Sequence, residues 1–171
     1  MKTFDPMLES GITQFVVRDV VKVDNTASVD VALEKFKATP YGAVLVTDSA
    51  TQALSGIITG TDLTKLRQST SPQTAGDLAS TEVVAIRQDA QMWQLLKIMN
   101  GENALRRQLD SLPVVDNEGK PVGIIKRERL LGRLTEREFC GDPPLPVARL
   151  TPATGHRVFF CLNEKTDSPR E

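Results

Sequence analysis

One segment of this chain occurs twice, and the duplication limits what the chain can fold into. Gly56-Ile57-Ile58-Thr59-Gly60-Thr61-Asp62-Leu63 returns as Gly123-Ile124-Ile125-Lys126-Arg127-Glu128-Arg129-Leu130. Each copy follows a short apolar run, Ala43-Val44-Leu45-Val46 and Leu112-Pro113-Val114-Val115, and leads into leucine-rich, charged sequence. A unit of roughly 55 residues buries too little surface to be comfortably stable alone. Two such units gain stability by packing sheet against sheet. The apolar frame is common to both copies, but Thr59 and Asp62 become Lys126 and Arg129. That difference points to one small-molecule site rather than two equivalent ones.

The same order of elements is expected in each unit. In the first, residues 21–23 read as a short strand, and Ser28 as the N-cap of a helix whose stripe is Val29, Ala32, Leu33 and Phe36. Asp30 suits that helix's N-terminal dipole, and Pro40 stops the helix. Strands over residues 43–46 and 54–59 and a helix over 62–68 complete the unit. In the second, residues 83–86 are a strand and Asp89 a cap candidate for a helix carrying Met92, Leu95, Leu96 and Met99. Gly101-Glu102-Asn103 breaks that helix, and about four or five more residues than the first unit uses lead to Leu112. Asn117-Glu118-Gly119 is a hairpin turn between strands 112–115 and 121–125, and a helix covers 127–135. The expected fold is therefore α+β, two β-α-β-β-α units about a pseudo-twofold axis. Residues 12–70 form the first unit and 75–135 the second; 136–171 are a partly irregular extension. Within it, Gly141-Asp142-Pro143-Pro144-Leu145-Pro146 rules out a regular helix or central strand. Arg157-Val158-Phe159-Phe160-Cys161-Leu162 is apolar enough to pack as an edge strand or against a partner, and residues 166–171 are expected to fray.

Composition narrows the function classes. Hydrophobic residues make up 40% and charged residues 25%, which excludes disorder of the whole chain. A net charge of -1 without a basic block argues against a nucleic-acid partner. No run approaches the roughly 20 apolar residues that cross a bilayer, and the first residues lack a secretory signal's apolar stretch. A cytoplasmic location without membrane contact is the expectation. Cys140 and Cys161 read as inert thiols and His156 has no acid or cysteine pattern around it, so neither metal nor triad chemistry is expected. No nucleophile-base set is visible, and an enzyme is not expected.

Gly-apolar-apolar-Thr-x-x-Asp after a strand and turn, with Leu112-Pro113-Val114-Val115-Asp116 in the second unit, resembles the tandem cystathionine-β-synthase (CBS) domain pair, or Bateman module. The resemblance covers about residues 15–134 and implies an adenosine nucleotide in the cleft between the units. By that resemblance Asp62 accepts the ribose hydroxyls, Thr59 contacts phosphate with Thr61 beside it, and Ile57 lines the cleft. The base falls to Val83, Val84, Ser111, Leu112 and Pro113. AMP, ADP, ATP and S-adenosylmethionine all fit the implied ligand class. The chemistry is compatible: a carboxylate suits a vicinal diol, and a hydroxyl at a helix start suits a phosphate. The bland reading is that Thr59 and Asp62 are only a strand end and a helix cap.

Arg129, with five donors and no acceptor, cannot take Asp62's part in the second copy. Lys126, Arg127 and Arg129 either reach phosphates in the neighbouring site or form exposed salt links with Glu128, Glu136 or Glu138. Arg106-Arg107 reads as solvated surface on a helix, and Trp93 as either dimer face or core. The reading is a regulatory module that binds one nucleotide and signals to an unidentified regulated protein, in a homodimer. The alternative is a ligand-free scaffold acting through protein contacts.

Overall fold

The computed structural model describes residues 10–66, 72–80, 82–134, 147–150 and 157–161. The first unit holds β1 (Lys22–Asp24), α1 (Val29–Ala38), β2 (Ala43–Thr47), β3 (Leu54–Thr59) and α2 (Gly60–Lys65). A short linker helix, α3 (Ala75–Leu78), precedes the second unit of β4 (Glu82–Arg87), α4 (Met92–Met99), β5 (Ser111–Val115), β6 (Pro121–Lys126) and α5 (Arg127–Leu134). A hairpin of β7 (Val147–Leu150) and β8 (Arg157–Cys161) follows. The repeated β-α-β-β-α order is the expected one. The first sheet runs β1-β2-β3, and the second β6-β5-β4-β8-β7. In both units the first strand is parallel to the second and the second antiparallel to the third.

Local chemistry sets most boundaries. Ser28 caps α1, its hydroxyl accepting the Val31 N–H at 3.5 Å. Gly119 takes a φ of 80° in the turn that joins β5 to β6, a conformation glycine adopts without steric cost. The cap expected at Asp89 lies instead at Gln91, whose N–H donates to the Gln94 side chain at 2.9 Å. A turn bonded from Ala90 N–H to the Arg87 carbonyl delays the helix by two residues. Asp89 binds the Arg87 guanidinium at 2.9 and 3.0 Å, and that bond holds its carboxyl below the usual carboxylate range. Trp93 is half-buried; its Nε1 donates to Gln91 Oε1 at 2.6 Å and Lys97 Nζ lies 5.7 Å from the ring centre.

The two units exchange their lead-in segments. Residues 10–17 open the first unit in sequence but pack on the second: Val17 and Ile124 exchange backbone hydrogen bonds at 2.8 and 3.0 Å. Ile12 and Phe15 join Met92, Leu95, Ile98 and Ile125 in one core. Residues 74–80 do the reverse. Ser80 N–H donates to the Ile57 carbonyl at 3.0 Å, and Ala75, Leu78 and Ala79 pack with Val23, Ala32 and Val44. Between the sheets a third core mixes both units, with Val17, Leu45, Leu54 and Ile57 against Val83, Ala85, Val115 and Ile124.

This exchange explains the glycine that opens each copy of the repeat. A Cβ on Gly56 would lie 2.9 Å from Ala79 Cβ and 3.2 Å from the Ser80 carbonyl oxygen. A Cβ on Gly123 would lie 2.5 Å from the Val17 carbonyl oxygen and collide with Val16 Cγ1. The crossing segments need the space that only glycine leaves.

The extension departs from expectation in one respect. β8 is not an edge strand: it pairs with β4 on one side and β7 on the other. All five of its residues pair with β4 and four of them, Val158 to Cys161, also with β7, because β4 presents an open edge. Leu162, residues 141–146 and residues 166–171 lie outside the described residues, as do Arg67 and Gln68 of the expected 62–68 helix.

Gly123→Ala is expected to lower stability by about 1–3 kcal/mol through overpacking against Val16 and Val17. Urea denaturation checks this, and a midpoint equal to wild type would show that the crossing segment yields freely.

Candidate functional site

The site grows from the junction of β3 and α2. Thr59 ends the strand in extended conformation and caps the helix. Three residues on, Asp62 turns its carboxylate back over the junction. Oδ2 accepts the Thr59 N–H at 2.9 Å and the Thr59 hydroxyl at 2.8 Å, and Oδ1 accepts the Ser80 hydroxyl at 2.7 Å. With 1% exposure, Asp62 ties strand, helix and linker together from inside. A carboxylate so deeply placed is tolerated because hydrogen bonds replace its water.

The matching junction of β6 and α5 is built differently. Arg127 N–H donates to the Asp110 carbonyl at 2.9 Å, and its guanidinium reaches the Met99 carbonyl at 3.3 Å. Lys126 turns inward, its Nζ 2.9 Å from Ser111 Oγ. Arg129, in the place of Asp62, is exposed on α5.

Between α4 and β5 the second unit carries a loop organised by one side chain. Asn103, 7% exposed, donates to the Ile98 carbonyl at 2.6 Å and the Arg107 carbonyl at 2.8 Å. Its Oδ1 accepts the Leu105 N–H at 2.9 Å, and Leu109 N–H returns to the Met99 carbonyl at 3.1 Å. Folding the chain this tightly places Arg106 at a φ of 48°, a strained value for a non-glycine residue. The Arg106-Arg107 pair is thus in an irregular loop, not on the expected helix: Asn103 captures the carbonyls that a continuing helix would have used. The loop projects Leu105, Arg107, Gln108, Leu109 and Asp110 toward the first unit.

There they close a cavity of about 380 Å³, a size within the range of small-molecule pockets. The first unit contributes Gly42, Ile57, Thr59, Gly60 and Thr61, and the linker Ser80. The second adds Glu82, Val83, Val84, Ser111, Pro113 and Lys126 to the loop residues. Of the residues singled out in sequence, Ile57, Thr59, Thr61, Val83, Val84, Ser111 and Pro113 line this one space. Asp62 lies beneath its floor, behind Thr59 and Ser80. Leu112 is fully buried between two lining residues and faces the core. Lys126 also lines the cavity, whereas Arg127 and Arg129 do not.

Glu82, Arg107, Gln108 and Asp110 were not foreseen. Three of them sit on the loop whose extra length the sequence shows but whose path depends on Asn103. Among the described residues no group of three or more metal-ligating side chains occurs, and no helix is long and apolar enough to cross a membrane.

Two sheet-packed units share one cavity at their junction, in a tandem arrangement of repeated β-α-β-β-α units. Residues 12–69 and 75–136 each match the CBS domain family model. The chain belongs to the CBS-domain family, whose paired units form a regulatory, non-catalytic fold. Several solved structures share it. The cytosolic domain of the Mg²⁺ channel MgtE in complex with ATP is 21% identical with a TM-score of 0.60. That alignment covers 74% of this chain and 49% of the other, so the chain spans about half of that structure. CBSX2 in complex with AMP is 24% identical with a TM-score of 0.58, over 74% of this chain and 96% of that one. A hypothetical conserved protein from Geobacillus kaustophilus is 18% identical with a TM-score of 0.60, over 74% and 97%.

Asn103→Ala is expected to cost about 1–3 kcal/mol, because two buried carbonyls lose their donor. Hydrogen exchange should show the 101–110 amides opening first; uniform exchange across α4 and the loop would deny Asn103 its organising role.

Proposed function

We propose that this chain is a regulatory module that holds one adenosine nucleotide in the cavity between its units and signals occupancy to a partner protein. The carrying observation is the cavity itself: both units build it, and its lining combines apolar side chains with hydroxyls, the cations Arg107 and Lys126 and the carboxylates Glu82 and Asp110. The flat base packs against Ile57, Val83, Val84 and Pro113, with backbone groups at Ser111 and Leu112 reading its edge. Phosphates meet the Thr61 hydroxyl, Lys126 and Arg107, and the Thr59 hydroxyl joins them by turning away from Asp62 Oδ2, to which it donates in this structure. Asp62 reads the ribose, whose hydroxyls take the place at Oδ1 that the Ser80 hydroxyl holds in this structure. Similar folds in structures solved with ATP and with AMP support this ligand class.

Lys126 favours a phosphorylated ligand over a cationic one. In the first copy the equivalent position is a threonine, so the duplication has supplied the shared cavity with a hydroxyl from one unit and a charge from the other. S-adenosylmethionine, whose single carboxylate is offset by a sulfonium and an ammonium, gains less from Lys126 than a phosphate chain does. Clamping both units around one ligand yields free energy that can shift a packing equilibrium elsewhere on the surface. Val31 on α1 and Leu131 on α5, 41% and 51% exposed, offer apolar surface for a second copy of the chain.

Calorimetric titration with AMP, ADP, ATP and S-adenosylmethionine tests the reading, with saturable binding near one nucleotide per chain expected. Absence of binding at millimolar ligand would favour a ligand-free scaffold. Lys126→Ala should weaken ATP about tenfold or more while leaving adenosine nearly unaffected, since a charge-assisted bond of about 1.5–3 kcal/mol is lost. Asp62→Asn, which keeps an acceptor for the Thr59 N–H, should weaken every adenosine nucleotide alike. Unchanged affinity in that variant would remove the ribose role.

A further inference from the structure

The duplication has no counterpart for β8, and its position bears on the cavity. β5 pairs with β4 only at Ile86 and Arg87. β8 pairs with β4 along Glu82, Val83, Val84, Ala85 and Ile86. Over the first half of β4, the ladder partner is therefore the C-terminal hairpin. In the first unit no such hairpin occurs among the described residues, strand structure there begins at Lys22, and β1 is the edge of its sheet. β8 thus extends β4 toward the cavity, and Glu82, Val83 and Val84 of that extension line it.

β8 also lies beside β3 of the first unit, the strand that brings Ile57 and Thr59 to the cavity. One strand of the hairpin therefore pairs along β4 of the second unit and passes close to β3 of the first, and both of those strands wall the cleft.

We infer that the C-terminal hairpin is the output element of the module: docking of β8 across β4 and β3 and closure of the cleft around a ligand favour one another. Val83, Val84 and Ala85 are 2%, 4% and 0% exposed. Backbone groups buried to this degree need partners, and β8 supplies them. If β8 leaves, this stretch of β4 loses its ladder and the cavity loses a fixed wall. Conversely, a ligand touching Ile57, Val83 and Val84 together holds β3 and β4 at the spacing that β8 bridges. Linkage makes the effect reciprocal. A detached hairpin also bares the β4 edge, a template for a parallel strand from a partner, so ligand-free protein is the form that accepts one. The inference deepens the nucleotide reading and rests on it for the identity of the ligand.

The full chain is compared with Phe159→Pro and Val158→Pro, adjacent substitutions in a strand paired on both sides, where proline removes a ladder donor. Without ligand, amide exchange at residues 83–85 should quicken about tenfold or more in the variants, with 44–46 and 114–115 as slow as in wild type. Equal rates at 83–85 would overturn the inference. In the wild-type protein, saturating ATP should slow exchange at 158–161, and ATP affinity should fall about tenfold in the variants. ATP that binds by calorimetry yet leaves 158–161 unchanged would also overturn it, and this measurement stands even if the proline variants do not fold. No heat with ATP in wild type would count against the nucleotide reading instead, and exchange at 83–85 would then decide the hairpin's role.

Discussion

The structure depends on two antiparallel backbone contacts, Val17 with Ile124 and Ser80 with Ile57. Through them each unit's lead-in segment completes the core of the other. The apolar surface they bury is shared, so neither unit reaches its own packing without its neighbour. This constraint also fixes the relation of β3 to β6, because both crossing segments pass over a glycine with less than a methyl group of clearance. A cleft between units held this way has a defined width. Movement of its walls is then confined to small shifts of the strands that line it, with no loose hinge between two bodies.

Within that frame the two copies have diverged in complementary ways. The first keeps the Thr59–Asp62 cap, which spends its carboxylate on holding strand, helix and linker. The second has given up the cap, anchors its helix through Arg127 to the Asp110 and Met99 carbonyls, and turns Lys126 inward. Because the units face each other across one cavity, what was lost from one copy returns as a different chemical group in the same space. The second unit's longer connection enlarges the asymmetry by adding a wall with both signs of charge, Arg107 and Asp110.

Much of the fold was legible from residues whose effects are local. The repeated Gly-Ile-Ile frame, the apolar stripe of α1, the Ser28 cap and the Asn117-Glu118-Gly119 turn all act within a few residues of themselves, and each element appeared where they placed it. Long-range choices were not readable in this way. Residues 12–17 look like the start of the first unit because they precede it; only the packing of Ile12 and Phe15 shows where they belong. Arg106 and Arg107 look helical by composition, but one buried asparagine redirects the chain. Arg157–Cys161 has the apolar content of an edge strand as much as of an inner one, and only the open side of β4 decides. At the site, the residue types pointed to one cavity, while the position of Asp62 beneath its floor depends on Ser80, a residue from a different segment whose part the sequence does not announce.

The exchanged lead-ins also impose an order on folding. A chain emerging from the ribosome presents residues 10–17 long before Ile124 exists to pair with them, and the first unit's own core waits for Ala75, Leu78 and Ala79. Contacts of such sequence separation close late and slow the final step. Until β6 is made, Ile12, Phe15 and Val17 remain as exposed apolar surface on an unfinished molecule, where capture by a neighbouring nascent chain competes with correct closure. A truncation before Ile124 therefore leaves a first unit whose own lead-in, residues 10–17, has lost the strand it pairs with.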